Sequence, residues 1–212
     1  KVVEDVMSTP APLVARAKSD EISVQDRERI FVAFRDVIAG PSYWRLRATA
    51  LGQLRGLMAP GPKPAVLDAT TLALLISIAK NDAPWVRTGA LRFLGMTRDP
   101  AHADLYLEAL TDQSDRVINA AANALGQSGS PKAFDALVRL IPKPSWKSQS
   151  LISALNGFKE LKDQRAVKIA VEALADTKLP RWWLATPIWD HRLAAAETLA
   201  ALGKGDAAYP MI

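Results

Sequence analysis

Cysteine is absent from the 212 residues, and histidine occurs twice, as His102 and His191. Without cysteine there is no disulfide, no thiolate metal ligand and no cysteine nucleophile. The two histidines are 89 positions apart and neither lies in a metalloprotease zinc-binding pattern. No apolar run approaches the ~18 residues needed to cross a bilayer. The most apolar stretch, Ala65–Ala79, is broken by Asp68, Thr70, Thr71 and Ser77 and reads as a buried helix. No segment alternates polar and apolar with period two, so little or no sheet is expected. No glycine-rich phosphate loop is present: Gly126–Pro131 follows a helix and lacks the Lys-Ser/Thr pair, so it reads as a helix–helix connection. Paired carboxylates are confined to Glu4-Asp5 and Asp20-Glu21. The neighbours Asp190-His191 read as a helix cap and a first-turn residue, and Glu197 as solvent-facing. Taken together, no catalytic residue, metal or cofactor is expected.

Charge is also without strong bias. The formal net charge is +5, from 27 basic and 22 acidic residues, and both halves are mixed. That balance supports solubility and does not argue for nucleic acid as a partner. Nothing chooses between cytoplasm and periplasm, and no cleavable leader is visible. Because the chain begins at Lys1, it reads as a mature form or as a fragment of a longer protein.

What the chain does have is a phrase that recurs. Val86-Arg87-Thr88-Gly89-Ala90-Leu91-Arg92-Phe93-Leu94-Gly95 returns as Val117-Ile118-Asn119-Ala120-Ala121-Ala122-Asn123-Ala124-Leu125-Gly126. An earlier copy is Leu46–Leu54, and divergent copies span Ser150–Phe158 and Ala194–Gly203. Aligning Leu54, Leu94, Leu125, Phe158 and Leu202 gives spacings of 40, 31, 33 and 44 residues. A period in this range marks stacked repeats, each hiding its apolar face only against its neighbours. Apolar residues three and four apart, as in Val86, Ala90, Leu91 and Leu94, make the unit helical. Small residues fall at matched positions, Ala50, Ala90, Ala121 and Ala154, where neighbouring helices can approach closely.

Turn chemistry divides the chain into helices over about 12–18, 23–39, 43–58, 65–80, 84–95, 101–110, 115–127, 131–141, 147–161, 164–175 and 191–202. Gly40-Pro41 closes the second of these, with Gly40 suited to a left-handed position, and Ser42 caps the third. Asp82 is placed to accept the free amides of the helix after it. The expected architecture is all-α: an α-solenoid of about five to six stacked helical hairpins in a single domain over 1–212. The repeats fall at roughly 12–40, 42–80, 82–110, 115–141, 147–175 and 191–212.

The unit, with Asp before its second helix and Val-Arg-x-x-Ala-Leu-x-x-Leu-Gly inside it, resembles HEAT-like repeats of the short bacterial kind, in the HEAT/ARM class, over about Tyr43–Gly203. The resemblance implies an interaction scaffold, because such repeats serve as binding surfaces more often than as enzymes. A narrower resemblance rests on Leu13–Ala17, Tyr43–Ala48, Ser114–Val117 and Ser148–Leu155. These segments look like the helical C-terminal region of M1-type zinc aminopeptidases. That family's zinc-binding catalytic domain lies upstream, which would make this chain the non-catalytic piece of a peptidase. A lesser alternative is a HEAT-like DNA glycosylase for alkylated bases, opposed by the even mixing of charge.

Two aromatic clusters stand out. The insert Leu179–Asp190 holds three of the six tryptophans, with Arg181, Trp182, Trp183 and Trp189 as candidate partner contacts. Such a segment either folds back to cap the open end of the repeats or docks a partner. Tyr43, Trp44 and Arg47, with Arg45, form the second cluster at a helix start. Arg47, Arg87 and Arg116 fall at or next to equivalent positions, as a ladder bonding adjacent turns or as the lining of a groove. The function expected is therefore a non-catalytic module that docks a protein, either another chain or an upstream domain of its own polypeptide, with no membrane contact.

Overall fold

The computed structural model describes residues 23–58, 66–145, 148–175 and 190–206. Ten α-helices lie among them, with no strand. They are α1 (Val24–Ala39), α2 (Trp44–Met58), α3 (Ala69–Asn81), α4 (Pro84–Gly95), α5 (Ala103–Ala109), α6 (Asp115–Ser128), α7 (Ala133–Leu140), α8 (Gln149–Leu161), α9 (Ala166–Ala175) and α10 (Asp190–Ala201). A 3-10 turn, Pro100–His102, leads into α5. The expected helix over 12–18 and the Trp-rich insert fall outside the described residues. So do the loop 59–65 and the last six residues.

The chain divides into two compact units, Lys1–Thr97 and Arg98–Ile212. In the first, α1 packs on α2, α3 on α4, and α2 on α4. In the second, α5 packs on α6, α7 on α8 and α9 on α10, while α6, α8 and α10 pack in succession. The hairpins are thus 24–58, 69–95, 100–128, 133–161 and 166–201. The repeat boundaries drawn at 42–80, 82–110, 115–141 and 147–175 start each unit on the second helix of one of these hairpins.

The recurring phrase explains this order. Its anchors Leu54, Leu94, Leu125, Phe158 and Leu202 are all at most 5% exposed. Each such side chain contributes roughly 1.5–3 kcal/mol when buried. The face Ile30, Phe34, Val37 and Ile38 of α1 is buried as its spacing predicts. The matched alanines Ala50, Ala90, Ala121 and Ala154 are buried too. In the second unit the approach is closer than alanine allows. A Cβ on Gly126 would sit 2.2 Å from the carbonyl oxygen of Gly157, and one on Gly157 would sit 2.8 Å from that of Ala122. Helices α6 and α8 therefore touch backbone to backbone, which only glycine permits.

Three local expectations are corrected. Gly40 does not enter the left-handed region; its amide bonds the Asp36 carbonyl at 2.9 Å, and a Cβ there would come within 3.0 Å of the same oxygen. Glycine is needed for closeness at that point, and the left-handed cap appears instead at Gly129, φ 63°, after α6. At α2 the first helical bonds run to the carbonyl of Tyr43, one residue beyond Ser42. Helix α3 starts at Ala69, because Asp68 takes the Thr71 amide at 2.9 Å and its hydroxyl at 2.6 Å. That pairing satisfies an otherwise orphaned donor and ends the extended segment. The Thr71 hydroxyl, then its amide and the nearby Arg35 guanidinium, hold the Asp68 carboxyl below its ordinary value.

Candidate partner-docking site

The site begins with two helix starts in the first unit. Pro84 at the first position of α4 presets the backbone and needs no amide partner. The residue after it, Trp85, is left 47% exposed at the end of the helix. Across the packed pair, Trp44 opens α2. The indoles of Trp44 and Trp85 stack at 5.7 Å between centroids with planes 24° apart. Tyr43 leans on Trp44 at 5.5 Å and is 63% exposed. The Arg45 guanidinium carbon lies 5.3 Å above the Trp44 ring, within cation–π range. Three aromatic rings and an arginine thus form one exposed ridge.

A bonded frame stands behind the ridge. Arg47 Nε donates to the Ile38 carbonyl at 2.8 Å, its Nη1 donates to Asp82 Oδ1 at 3.0 Å, and its Nη2 donates to Asp82 Oδ2. Arg87 Nη1 donates to the Asp82 carbonyl at 2.6 Å. Asp82 therefore ties α2, the end of α3 and α4 together, and Arg47 extends the frame to α1, in the fork geometry that arginine suits and lysine does not. The ladder expected of Arg47 and Arg87 is present. Arg116 lies exposed at the start of α6, in the second unit.

The expectation for Asp82 itself needs correcting. It accepts one amide, that of Ala83 at 2.7 Å, and Ala83 stands at the cap of α4 without a side-chain bond. The carboxylate is taken up by Arg47 instead. Of the residues expected to meet a partner, Tyr43 and Trp44 come together on the ridge. Arg47 sits behind it with its fork engaged, and Arg181, Trp182, Trp183 and Trp189 lie outside the described residues. Trp85 was missed. The signal was there: under the 40-residue offset, Trp85 aligns with Arg45, and both copies carry an aromatic at the start of the second helix.

The other candidates resolve into structure. Helix α10 starts at Asp190, so this residue is its first helical position rather than a cap before it. His191 is buried in that first turn, 4% exposed. Glu197 is half-exposed and pairs with Lys159 at 2.9 Å. Among the described residues no three of His, Cys, Asp or Glu gather as a metal site. No helix among them is long and apolar enough to cross a membrane. A groove of about 460 Å³ beside α7 and α9 is lined by Val138, Ile141, Pro142, Ile169, Glu172 and Ala173.

Among the described residues, ten helices in paired hairpins, with a repeating buried phrase, define an all-α solenoid. Residues 72–156 match the family model described as HEAT repeats, so this stretch of the chain is HEAT-like. Repeats of this class commonly mediate protein–protein interaction. No curated protein matches the chain, and the likeness to aminopeptidase C-terminal regions gains no support.

Proposed function

We propose that the chain is a non-catalytic docking module. Its contact is the ridge Tyr43, Trp44, Trp85 and Arg45, with Arg47 holding that ridge in position. The partner is a protein, either another chain or a further domain of the same polypeptide. The observation that carries this reading is the indole stack at two adjacent helix starts, with Trp85 and the neighbouring Tyr43 exposed. Tryptophan, tyrosine and arginine are the side chains that dominate binding energy, and here they gather on a framed surface instead of in the core. The insert residues Arg181, Trp182, Trp183 and Trp189 are proposed as a second contact on their composition alone.

The test is photo-crosslinking from position 43 of the full chain, with position 168 as control, in cells of the source organism. The captured protein is then purified and titrated against wild type and the Trp44→Ala/Trp85→Ala variant. A loss of about tenfold or more in affinity, with circular dichroism unchanged, supports the reading. Equal affinity for both proteins overturns it.

A further inference from the structure

The ridge sits on two helices of unusual charge. Helix α2 carries Arg45, Arg47 and Arg55, helix α4 carries Arg87 and Arg92, and neither contains an aspartate or glutamate. The remainder of the chain is mixed, with 22 basic and 22 acidic residues. Arg45 and Arg92 are exposed. Trp85 and Arg92 are seven positions apart, two turns along the same face of α4. Arg45 is already stacked on Trp44, so its guanidinium is oriented before any partner arrives.

From this charge complementarity we infer that the α2–α4 face takes an acidic, aromatic-containing or aliphatic segment of its protein partner. Carboxylates would meet the guanidinium groups, and an apolar side chain would lie on the indoles. This inference rests on the docking reading and adds the chemistry of the ligand. Nucleic acid is the less fitting occupant. A duplex held at useful affinity has several phosphates neutralised in a row. Here Arg47 is already neutralised by Asp82, and the Asp82 carboxylate lies within the cluster. The positive field is therefore short, matched to a few carboxylates. Two open positions on α2 fit an approaching chain: a Cβ on Gly52 or on Gly56 would meet nothing within 4 Å.

The test is fluorescence polarisation with the full chain and three labelled probes. They are a short peptide of glutamates interrupted by tryptophan and leucine, its counterpart with lysine for glutamate, and an oligonucleotide in single- and double-stranded form. The acidic peptide is expected to bind, the lysine peptide not, and affinity to fall about tenfold between low and high salt. Arg45→Glu and Arg92→Glu should each weaken it fivefold or so, and Lys168→Glu, an equal change of net charge on α9, less than twofold or so. The inference is overturned if the acidic peptide does not bind, or if Lys168→Glu weakens it as much as Arg45→Glu. It is also overturned if the oligonucleotide binds more tightly and is lost in Arg45→Glu, which assigns the face to nucleic acid. A photo-captured partner that needs Trp44 and Trp85 yet ignores salt and Arg45→Glu would leave the docking reading standing and remove the acidic ligand.

Discussion

The same repeat builds two units whose second helices differ in kind. In the first unit, α2 and α4 carry arginines without carboxylates and begin with stacked indoles, Trp85 exposed and Trp44 half-buried. In the second, α6, α8 and α10 mix both signs and spend their polar groups on one another. Asn123 donates to Asn119 at 3.1 Å, Gln127 to Glu160 at 3.1 Å, and Lys159 pairs with Glu197 at 2.9 Å. Helices α6 and α8 meet through glycine backbone, whereas α2 and α4 meet through Leu51 against Gly89, with a Cβ there 3.2 Å from the leucine side chain. The second row joins several of its polar side chains across neighbouring helices, and the first sets Tyr43, Trp85 and Arg45 at its surface. Within a single architecture, the side chains on the second helices separate a row bonded across its helices from the row proposed to bind.

The largest expected effect tests the close crossing. Gly126→Ala should destabilise the second unit by about 3 kcal/mol, since a backbone carbonyl cannot yield as a side chain can. Gly52→Ala, in the first unit, should be neutral or stabilise by up to ~1 kcal/mol, because it fills open space on a helix. Urea denaturation of both variants measures this, and equal destabilisation would abolish the distinction between the two rows.

Next is the aspartate frame of the first unit. Arg47→Ala should cost about 2 kcal/mol, between an exposed and a fully buried pair, and Arg47→Lys should recover little of it. Thermal unfolding of the three proteins gives the answer, and full rescue by lysine would mean that the fork geometry is unimportant. Asp68→Ala should cost ~1 kcal/mol at neutral pH through loss of the α3 cap. Because the folded state lowers this carboxyl, its charge stabilises above the ordinary carboxylate range. That contribution is lost as pH falls through the lowered value, so the gap between variant and wild type should narrow in acid. A gap that widens would contradict the Asp68–Thr71 pairing. The smallest effect belongs to the second row: Glu197→Gln should change stability by ~0.5 kcal/mol or less and lose even that in high salt.

Much of this was legible beforehand. The repeat phrase located the anchors Leu94, Leu125 and Phe158, because burial in a solenoid recurs with the period of the chain. Helix boundaries were less legible. Asp68 competed with the apolar run around it, and the α3 start was decided by which residue could bond a free amide. Asp82 read as a helix cap because caps are local, whereas its actual partner, Arg47, is 35 positions away. Trp85 was passed over, although the aligned copy carries an aromatic at the same helix start. Its exposure follows from the proline before it and from the packing of α4 on α2.

The sequence by itself determined that this chain is helical, repetitive and without thiol chemistry, since periodicity and composition are properties of the chain alone. Only the tertiary structure decided that Trp44 and Trp85 stack, that Arg47 and Asp82 pair to fasten four helices, and that Gly126 meets Gly157. The pairs Trp44–Trp85, Arg47–Asp82 and Gly126–Gly157 each lie more than 30 positions apart, and what brings them together is the stacking of one hairpin on the next.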